Sequence, residues 1–318
     1  MNIHNMDCVS GSKQFIKDND IDLIICDPPF GIGESSFNKH YNRDETTVLS
    51  GYMEAPEDYS KFSLDWISEA KRILKDSGSM YIISGWTHLD DILFAIKEND
   101  LYLENHIIWK FNFGVNTSKK YVSSHYHILY LKKSKDAECI FNKNCRFGDD
   151  EKDDDKKSLL YKDMEDVWVI NKEFQHGEIK NKNKLPEELL RKIILYSSNE
   201  NDKVCDFFLG NFTTAVVAKK LGRSPYGFEI NKRAYNYHIG ELDKVISGCE
   251  LKNLRVPPKS KATNRGKSLS KKEVKEIVKE FKSLSKEDLT KRQKIENIGK
   301  KHGRGYFSIL NVLDANIK

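Results

Sequence analysis

The sequence predicts an α/β fold, in which helices pack on a mostly parallel central sheet. Strand-like and helix-like segments alternate through the first half of the chain. The run IDLIICD, which ends at Asp27, is almost continuously apolar, as expected for a strand buried on both faces of a parallel sheet. A second alternating series begins with DKVCDFF, which ends at Phe208, after a polar and irregular middle segment.

The first half of the pattern begins with a helix that follows from its apolar spacing. The segment PEDYSKFSLDWISEAKRILKDSG has Pro56 near its start and apolar residues three or four positions apart, among them Trp66 and Ile73. Gly78 marks its predicted end. The next predicted elements are the strand SMYIIS, the helix HLDDILFAIKEND, and the strands LYLENHIIWKF and YHILYLKK.

The pattern breaks in the polar segment 134–180 and then resumes. The following predicted elements are the helix LPEELLRKIILYSS, the strand DKVCDFF, the helix FTTAVVAKKLG, the strand SPYGFEI and the helix KRAYNYHIGELDKVIS. After RVPPKSKATNRGKS, a linker by its Pro, Ser and Lys content, short helices with serine caps follow. We therefore expect one domain over residues 1–254, with an insertion at about 134–180, and a small basic helical region over residues 255–318.

Charge is distributed unevenly along the chain. The whole chain has a net charge of +5, but residues 255–318 contain 18 Lys and Arg against 7 Asp and Glu, a balance of +11. Residues 1–254 hold the remaining 35 basic and 41 acidic side chains, a balance of −6. This distribution favours a partner made of phosphate, such as nucleic acid, although a solvated lysine-rich helix that contacts nothing explains it about equally well.

The composition also argues against several other classes of protein. The first residues lack the apolar segment of a signal peptide, and no run approaches the roughly 18 apolar residues of a membrane span. The cysteines are scattered without a CxxC pair, and several lie inside apolar runs: Cys8, Cys26, Cys139, Cys145, Cys205 and Cys249. We therefore expect a reduced, cytoplasmic protein without a structural zinc site and without a membrane partner.

The segment KVCDFFLGNFTTAVVAKKLG predicts a nucleoside site. It reads as a strand, a glycine turn and a helix whose first turn contains Thr213 and Thr214, and the next strand ends at Glu229. Gly210 would let the backbone approach a ligand, unpaired N–H groups at the helix start would bind an anionic group, and Glu229 would accept both ribose hydroxyls. The G-x-G-x-x-G motif is absent, so a nucleoside with a small carboxylate tail, such as S-adenosylmethionine, fits better than a dinucleotide. An ordinary βα turn explains this segment about as well.

The tetrapeptide Asp27-Pro28-Pro29-Phe30 follows the first buried strand, where ligands of parallel sheets bind. The proline rings fix φ and remove two N–H donors, so this backbone offers only carbonyls and a carboxylate. Such a site suits an amino group, and Phe30 adds a face on which a nucleobase can stack. Asp27 and the Pro28 carbonyl would stabilise positive charge on the amine as it attacks a methyl group. A strand-terminating turn with a capping aspartate is the alternative.

Together, DPPF after an apolar strand and DFFLGNFTT downstream resemble the DNA amino-methyltransferases that use S-adenosylmethionine. The glycine loop follows DPPF in this chain, which resembles the β-type circular permutation of that family. The resemblance covers roughly residues 1–250. It implies a Rossmann-like methyltransferase fold, circularly permuted, in which the catalytic residues are Asp27, Pro28, Pro29 and Phe30.

The resemblance also implies a set of cofactor contacts. HNMDC resembles the family's stretch near the cofactor's adenine. NKNKLPEELLRKIILYSS resembles a helix that closes over the methionine moiety, and YGFEI resembles the strand whose acid binds the ribose. The chain departs from the family at two points. Phe212 stands where the family's F-x-G-x-G loop has its second glycine, and the His-Pro that usually precedes the Lys-x-Pro segment is missing. The implied cofactor residues are Asp7, Cys8, Asp27, Lys184, Asp206, Phe208, Gly210, Asn211, Phe212, Thr213 and Glu229.

Adenine N6 is the predicted target, because cytosine-N4 members of the family more often carry Ser in place of the Asp. The base would be rotated out of duplex DNA and held against Phe30, and no metal is required. One candidate reading region is the segment 134–179, with Trp168, Lys172 and Arg146, although Trp168 suits the core better. The other is the basic tail, where Gly303 and Gly305 would form a turn and the predicted phosphate contacts are Lys300, Lys301 and Arg304. A packing or dimer helix is the alternative for this tail.

Several other readings remain open at this point. They are a cytosine-N4 methyltransferase, an RNA or protein-amide methyltransferase, a non-catalytic DNA-binding regulator and a nicotinamide dehydrogenase. β-type relatives are often dimers, so a homodimer is a candidate assembly, and a cognate restriction endonuclease is a candidate partner. His125 and His127 share one face of a strand and are interpreted as polar packing rather than metal ligands.

Overall fold

The computed structural model describes residues 2–30, 56–112, 114, 118–173, 184–256, 264, 268–284 and 289–317. The chain forms two compact units. The first comprises residues 1–149 and 160–256, and the second comprises residues 150–159 and 257–318.

The first unit contains an eight-stranded sheet in the order β1-β8-β7-β2-β3-β5-β4-β6. All neighbouring strands are parallel except that β5 is antiparallel to β3 and to β4. The predicted α/β fold with a mostly parallel sheet is thus confirmed. The strands are β1 (Asn2–His4), β2 (Ile21–Cys26), β3 (Leu74–Ser84), β4 (Tyr102–Lys110), β5 (His125–Lys132), β6 (Val167–Val169), β7 (Lys203–Asp206) and β8 (Ser224–Phe228).

Helices cover both faces of this sheet. In chain order they are α1 (Cys8–Phe15), α2 (Tyr59–Ile73), α3 (Leu89–Glu98), α4 (Leu159–Asp163), α5 (Glu187–Ser197), α6 (Thr213–Lys220) and α7 (Lys232–Lys244). Along β2, Ile24 and Cys26 belong to the core shared with α2 and α3, whereas Leu23 and Ile25 belong to the core shared with α5 and α6. The strand is therefore buried on both faces, as its continuous apolar run predicts.

One boundary differs from the sequence prediction. Helix α2 ends at Ile73, and strand β3 begins at Leu74, so Gly78 lies within a strand and is not a helix cap. A Cβ atom on Gly78 would lie 2.6 Å from the Leu74 side chain and 3.0 Å from the carbonyl oxygen of Asp22. This glycine is explained by the close approach of the neighbouring strand β2.

The second unit has a separate apolar core. Its helices are α8 (Lys271–Ser283), α9 (Lys291–His302) and α10 (Tyr306–Asn316). Each of these helices, within the described part of the unit, contributes buried side chains to the core: Ile277, Ile295, Ile298, Ile309, Val312 and Leu313.

The cysteines are unpaired and differ in exposure. Cys8, Cys26 and Cys205 are buried, whereas Cys249 is exposed. Cys26 and Cys205 are adjacent in sequence to Asp27 and to Asp206. Within the described ranges, no helix combines the length and hydrophobicity that a membrane span requires.

Candidate active site

Four neighbouring parallel strands place their carboxyl ends at one edge of the sheet. These strands are β1, β8, β7 and β2. Asp206 is the last residue of β7, and the segments that follow β1, β8 and β2 contain Asp7, Glu229 and Asp27. The strand ends are joined by hydrogen bonds, because the Glu229 N–H donates to the His4 carbonyl (3.1 Å) and the Asn5 amide to the Glu229 carbonyl (2.7 Å). The topology therefore brings the predicted catalytic acid and three predicted cofactor acids to one edge.

Asp27 presents a hydrogen-bond acceptor without a donor. The residue as a whole is partly exposed, but its Oδ1 atom is buried and has no hydrogen-bond partner among the described residues. Burial raises the pKa of Asp27 to about 8, the negative charge of Asp206 adds to this rise, and the positive charge of Lys172 opposes it. A buried acceptor of this kind is costly unless a ligand supplies the missing donor.

Asp206 is the second buried carboxylate of the site. Burial raises its pKa to about 6, whereas hydrogen bonds from the Thr214 hydroxyl and the Phe208 N–H act in the opposite direction. The Phe208 N–H lies 2.9 Å from Asp206 Oδ1. Asp206 therefore anchors both the glycine loop and the start of α6, while its charge acts on Asp27.

The diproline turn is fixed by a tyrosine from α2. The Tyr59 hydroxyl donates to the Pro29 carbonyl at 2.9 Å, and the Tyr59 ring stacks on His88 with 4.0 Å between ring centroids. Pro28 is buried. The Pro29 carbonyl already accepts this hydrogen bond, so Asp27 and the Pro28 carbonyl stay the predicted acceptors for a substrate.

Phe30 belongs to an aromatic group at the edge of the site. It is partly exposed, and its ring centroid lies 5.3 Å from that of Tyr126, the second residue of β5. Tyr126 in turn contacts Phe111, with 5.1 Å between centroids. Strand β5 is antiparallel, so its first residues lie at the edge where β3 and β4 end, which places Tyr126 beside Phe30.

Lys172 lies against two rings of this aromatic group. Its Nζ atom lies 4.3 Å from the ring centroid of Phe111 and 4.6 Å from that of Tyr126, and it donates to the Tyr126 hydroxyl at 3.4 Å. Burial lowers the pKa of Lys172, and the charge of Asp27 opposes this change. Lys172, which the sequence suggests as a DNA-reading residue, is thus placed beside the predicted catalytic carboxylate.

Glu229 is held by the backbone of the glycine loop. Its Oε2 atom accepts from the Gly210 N–H and its Oε1 atom from the Asn231 N–H, both at 2.7 Å. The Gly210 N–H thus orients Glu229. Burial raises the pKa of Glu229, and the two N–H donors oppose this rise. Each carboxylate oxygen keeps a second lone pair, so the group can still accept from ribose hydroxyls.

Phe212 adopts the backbone conformation that the missing glycine would favour. Its φ is 58° and its ψ is 18°, in the left-handed region, and it is the N-cap residue of α6. Its side chain is fully buried and lies against Tyr235 and His238, with centroid distances of 6.1 and 5.6 Å. Apolar burial offsets the local strain, so the turn of the F-x-G-x-G loop is kept without its second glycine.

The other predicted cofactor residues surround this loop or lie near it. Thr213 is buried, Asn211 is partly exposed, and Phe208 packs edge-on against Trp66 with 5.4 Å between centroids. Lys184 lies 3.8 Å from Glu173 and 3.7 Å from Glu187. Burial lowers the pKa of His238, which contacts Phe212, and the charge of Lys184 adds to this change.

Asp7 and Cys8 begin helix α1, beside the carboxyl end of β1. Asp7 is exposed and caps the helix, because its Oδ1 accepts from the Ser10 N–H at 2.9 Å. Cys8 is buried, and burial raises the pKa of its thiol.

Two predicted DNA contacts have structural roles. Arg146 is only 5% exposed, and its guanidinium pairs with Asp163 at 2.9 Å and with Glu188 at 2.6 Å. Arg304, in the second unit, is 8% exposed and binds both carboxylate oxygens of Glu273 at 2.8 Å. Both guanidiniums are directed at carboxylates within the protein, which does not favour contact with phosphate, and the two assignments stay predictions.

The remaining predicted residues differ in exposure. Lys300 is exposed, and Lys301 is exposed and pairs with Glu280 at 2.6 Å. Trp168 is buried in the core, as its sequence context indicates. His127 Nδ1 lies 2.8 Å from His106 Nε2, and the described residues contain no group of three His, Cys, Asp or Glu that could hold a metal ion.

The sequence profile of one protein family matches the region that contains this site. This family, N6_N4_Mtase, is described as DNA methylase, and the match covers residues 21–239, more than half of the 318-residue chain. The chain belongs to this DNA methylase family. The DNA methyltransferase family predicted from the motifs is thereby confirmed.

Individual DNA methyltransferases are similar to this chain over most of its length. Type II methyltransferase M.HpaI of Haemophilus parainfluenzae is 31% identical over 74% of this chain and 72% of its own. DNA adenine methyltransferase YhdJ of Escherichia coli K12 is 31% identical over 78% of this chain and 84% of its own.

Among solved structures, the M1.HpyAVI–SAM complex has a TM-score of 0.55 at 24% identity, covering 76% of this chain and 98% of that one. TTHA0409 of Thermus thermophilus, solved with S-adenosyl-L-methionine, has a TM-score of 0.56 at 16% identity, covering 78% and 95%. These two structures have the same fold as the first unit.

Proposed function

We propose that this DNA methylase is a site-specific adenine-N6 methyltransferase that takes its methyl group from S-adenosylmethionine. The buried and unpartnered Oδ1 atom of Asp27, in a turn without N–H donors at its two prolines, carries this proposal. An exocyclic amino group is the donor that such an acceptor lacks. An aspartate at this position, together with a relative named as a DNA adenine methyltransferase, favours adenine over cytosine.

The residues around the glycine loop fit S-adenosylmethionine. Glu229 is oriented by two backbone N–H groups and can accept further hydrogen bonds from ribose hydroxyls. Asp27 and Asp206 both have a raised pKa in a buried setting, so a cation bound beside them would favour their charged forms. When bound, the cofactor supplies a methyl group on a positively charged sulfur. The remaining cofactor assignments from the sequence, including Asp7, Lys184 and Asn211, stay proposals.

The chain's own residues have distinct roles in the proposed reaction. Phe30 and Tyr126 would hold the ring of an adenine rotated out of the duplex. Ionised Asp27 would accept a hydrogen bond from N6 through Oδ1 and stabilise the positive charge that develops on this nitrogen as it attacks the methyl group. A carboxylate with a pKa of about 8 can also accept the proton that N6 then loses.

The proposal is tested by identifying the methylated base. DNA incubated with the enzyme and S-adenosylmethionine is digested to nucleosides and examined by mass spectrometry, and we expect N6-methyladenine. Asp27→Ala should abolish methylation while cofactor binding persists, whereas Asp65→Ala, which changes an exposed aspartate of α2, should leave both unchanged. Detection of N4-methylcytosine would contradict the adenine assignment, and activity in Asp27→Ala would contradict the role of Asp27.

We also propose the assignments that go beyond the site. Residues 1–254 would form the methyltransferase domain in β-type circular permutation, since the DPPF strand β2 precedes the glycine-loop strand β7. Residues 255–318 would bind duplex DNA, with Lys300 and Lys301 near phosphates. A cytoplasmic location, a homodimer and a cognate restriction endonuclease complete the proposal, and sedimentation of the purified chain tests the dimer.

A further inference from the structure

Helices α9 and α10 are connected by a sharp turn of three residues, Gly303, Arg304 and Gly305. Gly303 has φ 61° and ψ 33°, in the left-handed region, and its N–H donates to carbonyls of the last turn of α9. Gly305 is the N-cap residue of α10. Two helices joined by three or four residues that include glycine form the connection of a helix-turn-helix motif.

The two helices approach each other closely at Gly299. A Cβ atom on this residue would lie 2.8 Å from the Arg304 carbonyl oxygen and 3.8 Å from Cγ1 of Ile309. The Arg304 N–H donates to the Gly299 carbonyl at 2.8 Å. A glycine is therefore required in the last turns of α9, because the backbone carbonyl of Arg304 in the connecting turn packs directly on it.

The third helix fixes this turn from the other side. The Arg304 guanidinium binds both carboxylate oxygens of Glu273 on α8 at 2.8 Å and donates to the Asn264 carbonyl at 2.7 Å. Ile298 and Ile309 are buried in the core that α8 completes with Ile277. The helix pair is thus held in one geometry by an ion pair and an apolar core.

The described side chains on the outer face of α10 are polar or small. Asn311 and Ala315 are exposed and Ser308 is partly exposed, and their spacing of three and four residues places them on one face. Asp314 is also exposed, and Lys291 lies 3.9 Å from it. A face of this composition suits contact with base edges better than burial against an apolar protein surface, and an asparagine amide can pair with adenine N6 and N7.

Charge favours duplex DNA as the occupant of this face. Residues 255–318 have a balance of +11, and Lys271, Lys272, Lys275 and Lys300 are exposed on α8 and α9. A second copy of residues 255–318 would bring the same positive charge, whereas DNA phosphates neutralise it.

We propose that α9 and α10 form a helix-turn-helix that places α10 in the major groove, where Asn311 reads a base pair outside the methylated base itself. This inference rests on the proposed function only for the identity of the substrate as duplex DNA. It adds a second reading element, in the second unit, to whatever the methyltransferase unit recognises.

The test is a selection from randomised DNA. Full-length protein, without cofactor, is used to enrich duplexes from a random pool, and the enriched motif is determined for the unchanged chain and for three variants. Asn311→Ala should relax the preference at one base pair by roughly 5- to 100-fold. Asn316→Ala is the matched control, since Asn316 is also exposed but lies at the far end of α10 and donates to the Val312 carbonyl of its own helix. Lys300→Gln should weaken binding to all duplexes and reduce the slope of log affinity against log salt by about 1.

Each outcome bears on the proposal separately from the methyltransferase reaction. An Asn311→Ala motif identical to that of the unchanged chain would overturn base reading by α10. If Asn311→Ala sediments differently from the unchanged chain but selects the same DNA motif, base reading by α10 is also overturned. That result would indicate that α10 packs against another copy of the chain. The binding motif is measured without methyl transfer, so failure of the adenine-N6 assignment would not produce either result.

Discussion

Asp27 must be charged to accept a hydrogen bond from an amine, but its Oδ1 atom is buried, and burial disfavours the charged form. The second buried carboxylate, Asp206, makes this charge more costly, and Lys172 makes it less so. The pair of prolines cannot relieve the cost, because neither has an N–H to donate. Asp27 is therefore a destabilising group whose missing hydrogen bond the substrate and the cofactor would supply.

Asp27→Asn should stabilise the ligand-free protein, and more so at high pH. The folded pKa of Asp27 is about 8, above its usual value of 3.8. Asp27 therefore costs the folded protein no stability below pH 3.8, where it is protonated in both states, and it lowers the free energy of unfolding progressively as pH rises towards 8. The variant removes this loss, so its gain should grow from pH 5 to pH 8 and reach roughly 1–3 kcal/mol. Thermal unfolding at the two pH values measures it, and an equal effect at both values would contradict the assignment of a raised pKa.

Lys172→Gln should shift the pH dependence of kcat/KM towards higher pH. Lys172 lowers the pKa of Asp27, so its loss raises the pH at which Asp27 becomes charged. The rate should fall severalfold near pH 7 and recover at higher pH, while Lys172→Arg keeps the charge and should restore the profile. Lys143→Gln, which changes an exposed lysine, serves as control. A uniform loss of rate at every pH would indicate a packing role for Lys172.

At the residue scale, the sequence predicts the features of the site that depend on consecutive residues. The acceptor-only character of Asp27-Pro28-Pro29 can be read from three consecutive residues. Tyr59, Tyr126 and the position of Lys172 beside Asp27 could not be predicted, because they depend on which strands and helices become neighbours. The burial of Arg146 had no local signal either, since its partners Asp163 and Glu188 are distant in sequence.

At the scale of elements, the connection between β7 and α6 shows how a motif can change without losing its geometry. Gly210 and Phe212 both have positive φ, at 49° and 58°. Gly210 needs a glycine for its conformation alone, since a Cβ there would meet only the Phe208 carbonyl oxygen, at 3.8 Å. At Phe212 a buried ring replaces the conformational freedom of glycine.

Phe212→Gly should destabilise the first unit even though it restores the family motif. Loss of a buried phenyl ring costs about 3–5 kcal/mol, and relief of the left-handed conformation returns about 1–2 kcal/mol. We expect a net loss of roughly 1–4 kcal/mol in the free energy of unfolding, measured by denaturant titration. Phe212→Leu keeps most of the apolar volume and should cost less. An unchanged or increased stability of Phe212→Gly would show that the strain at this position outweighs the burial.

At the scale of the whole molecule, the two units have separate apolar cores. The strand order of the first unit, β1-β8-β7-β2-β3-β5-β4-β6, could not be predicted from the sequence, because pairing between distant strands leaves no local pattern. The alternation of elements was sufficient for the α/β class but not for the antiparallel direction of β5, on which the aromatic group of the site depends.

Ile309→Asn should unfold the helices of the second unit while the first unit still binds cofactor. Ile309 is completely buried among α8, α9 and α10, and an asparagine amide would have no partner there. Limited proteolysis should therefore cut faster within residues 257–317, with cofactor affinity unchanged. Ala315→Asn, at an exposed position of the same helix, should leave proteolysis unchanged. Loss of cofactor affinity in Ile309→Asn would contradict the independence of the two cores.

The buried cysteines beside the site carboxylates have a consequence for chemical reactivity. Cys26 and Cys205 directly precede Asp27 and Asp206, and burial raises the pKa of both thiols. Alkylating reagents attack the thiolate, so neither side chain should react at neutral pH in the folded protein. A maleimide should instead modify exposed Cys249 first, and an enzyme labelled there should keep its full rate of methyl transfer.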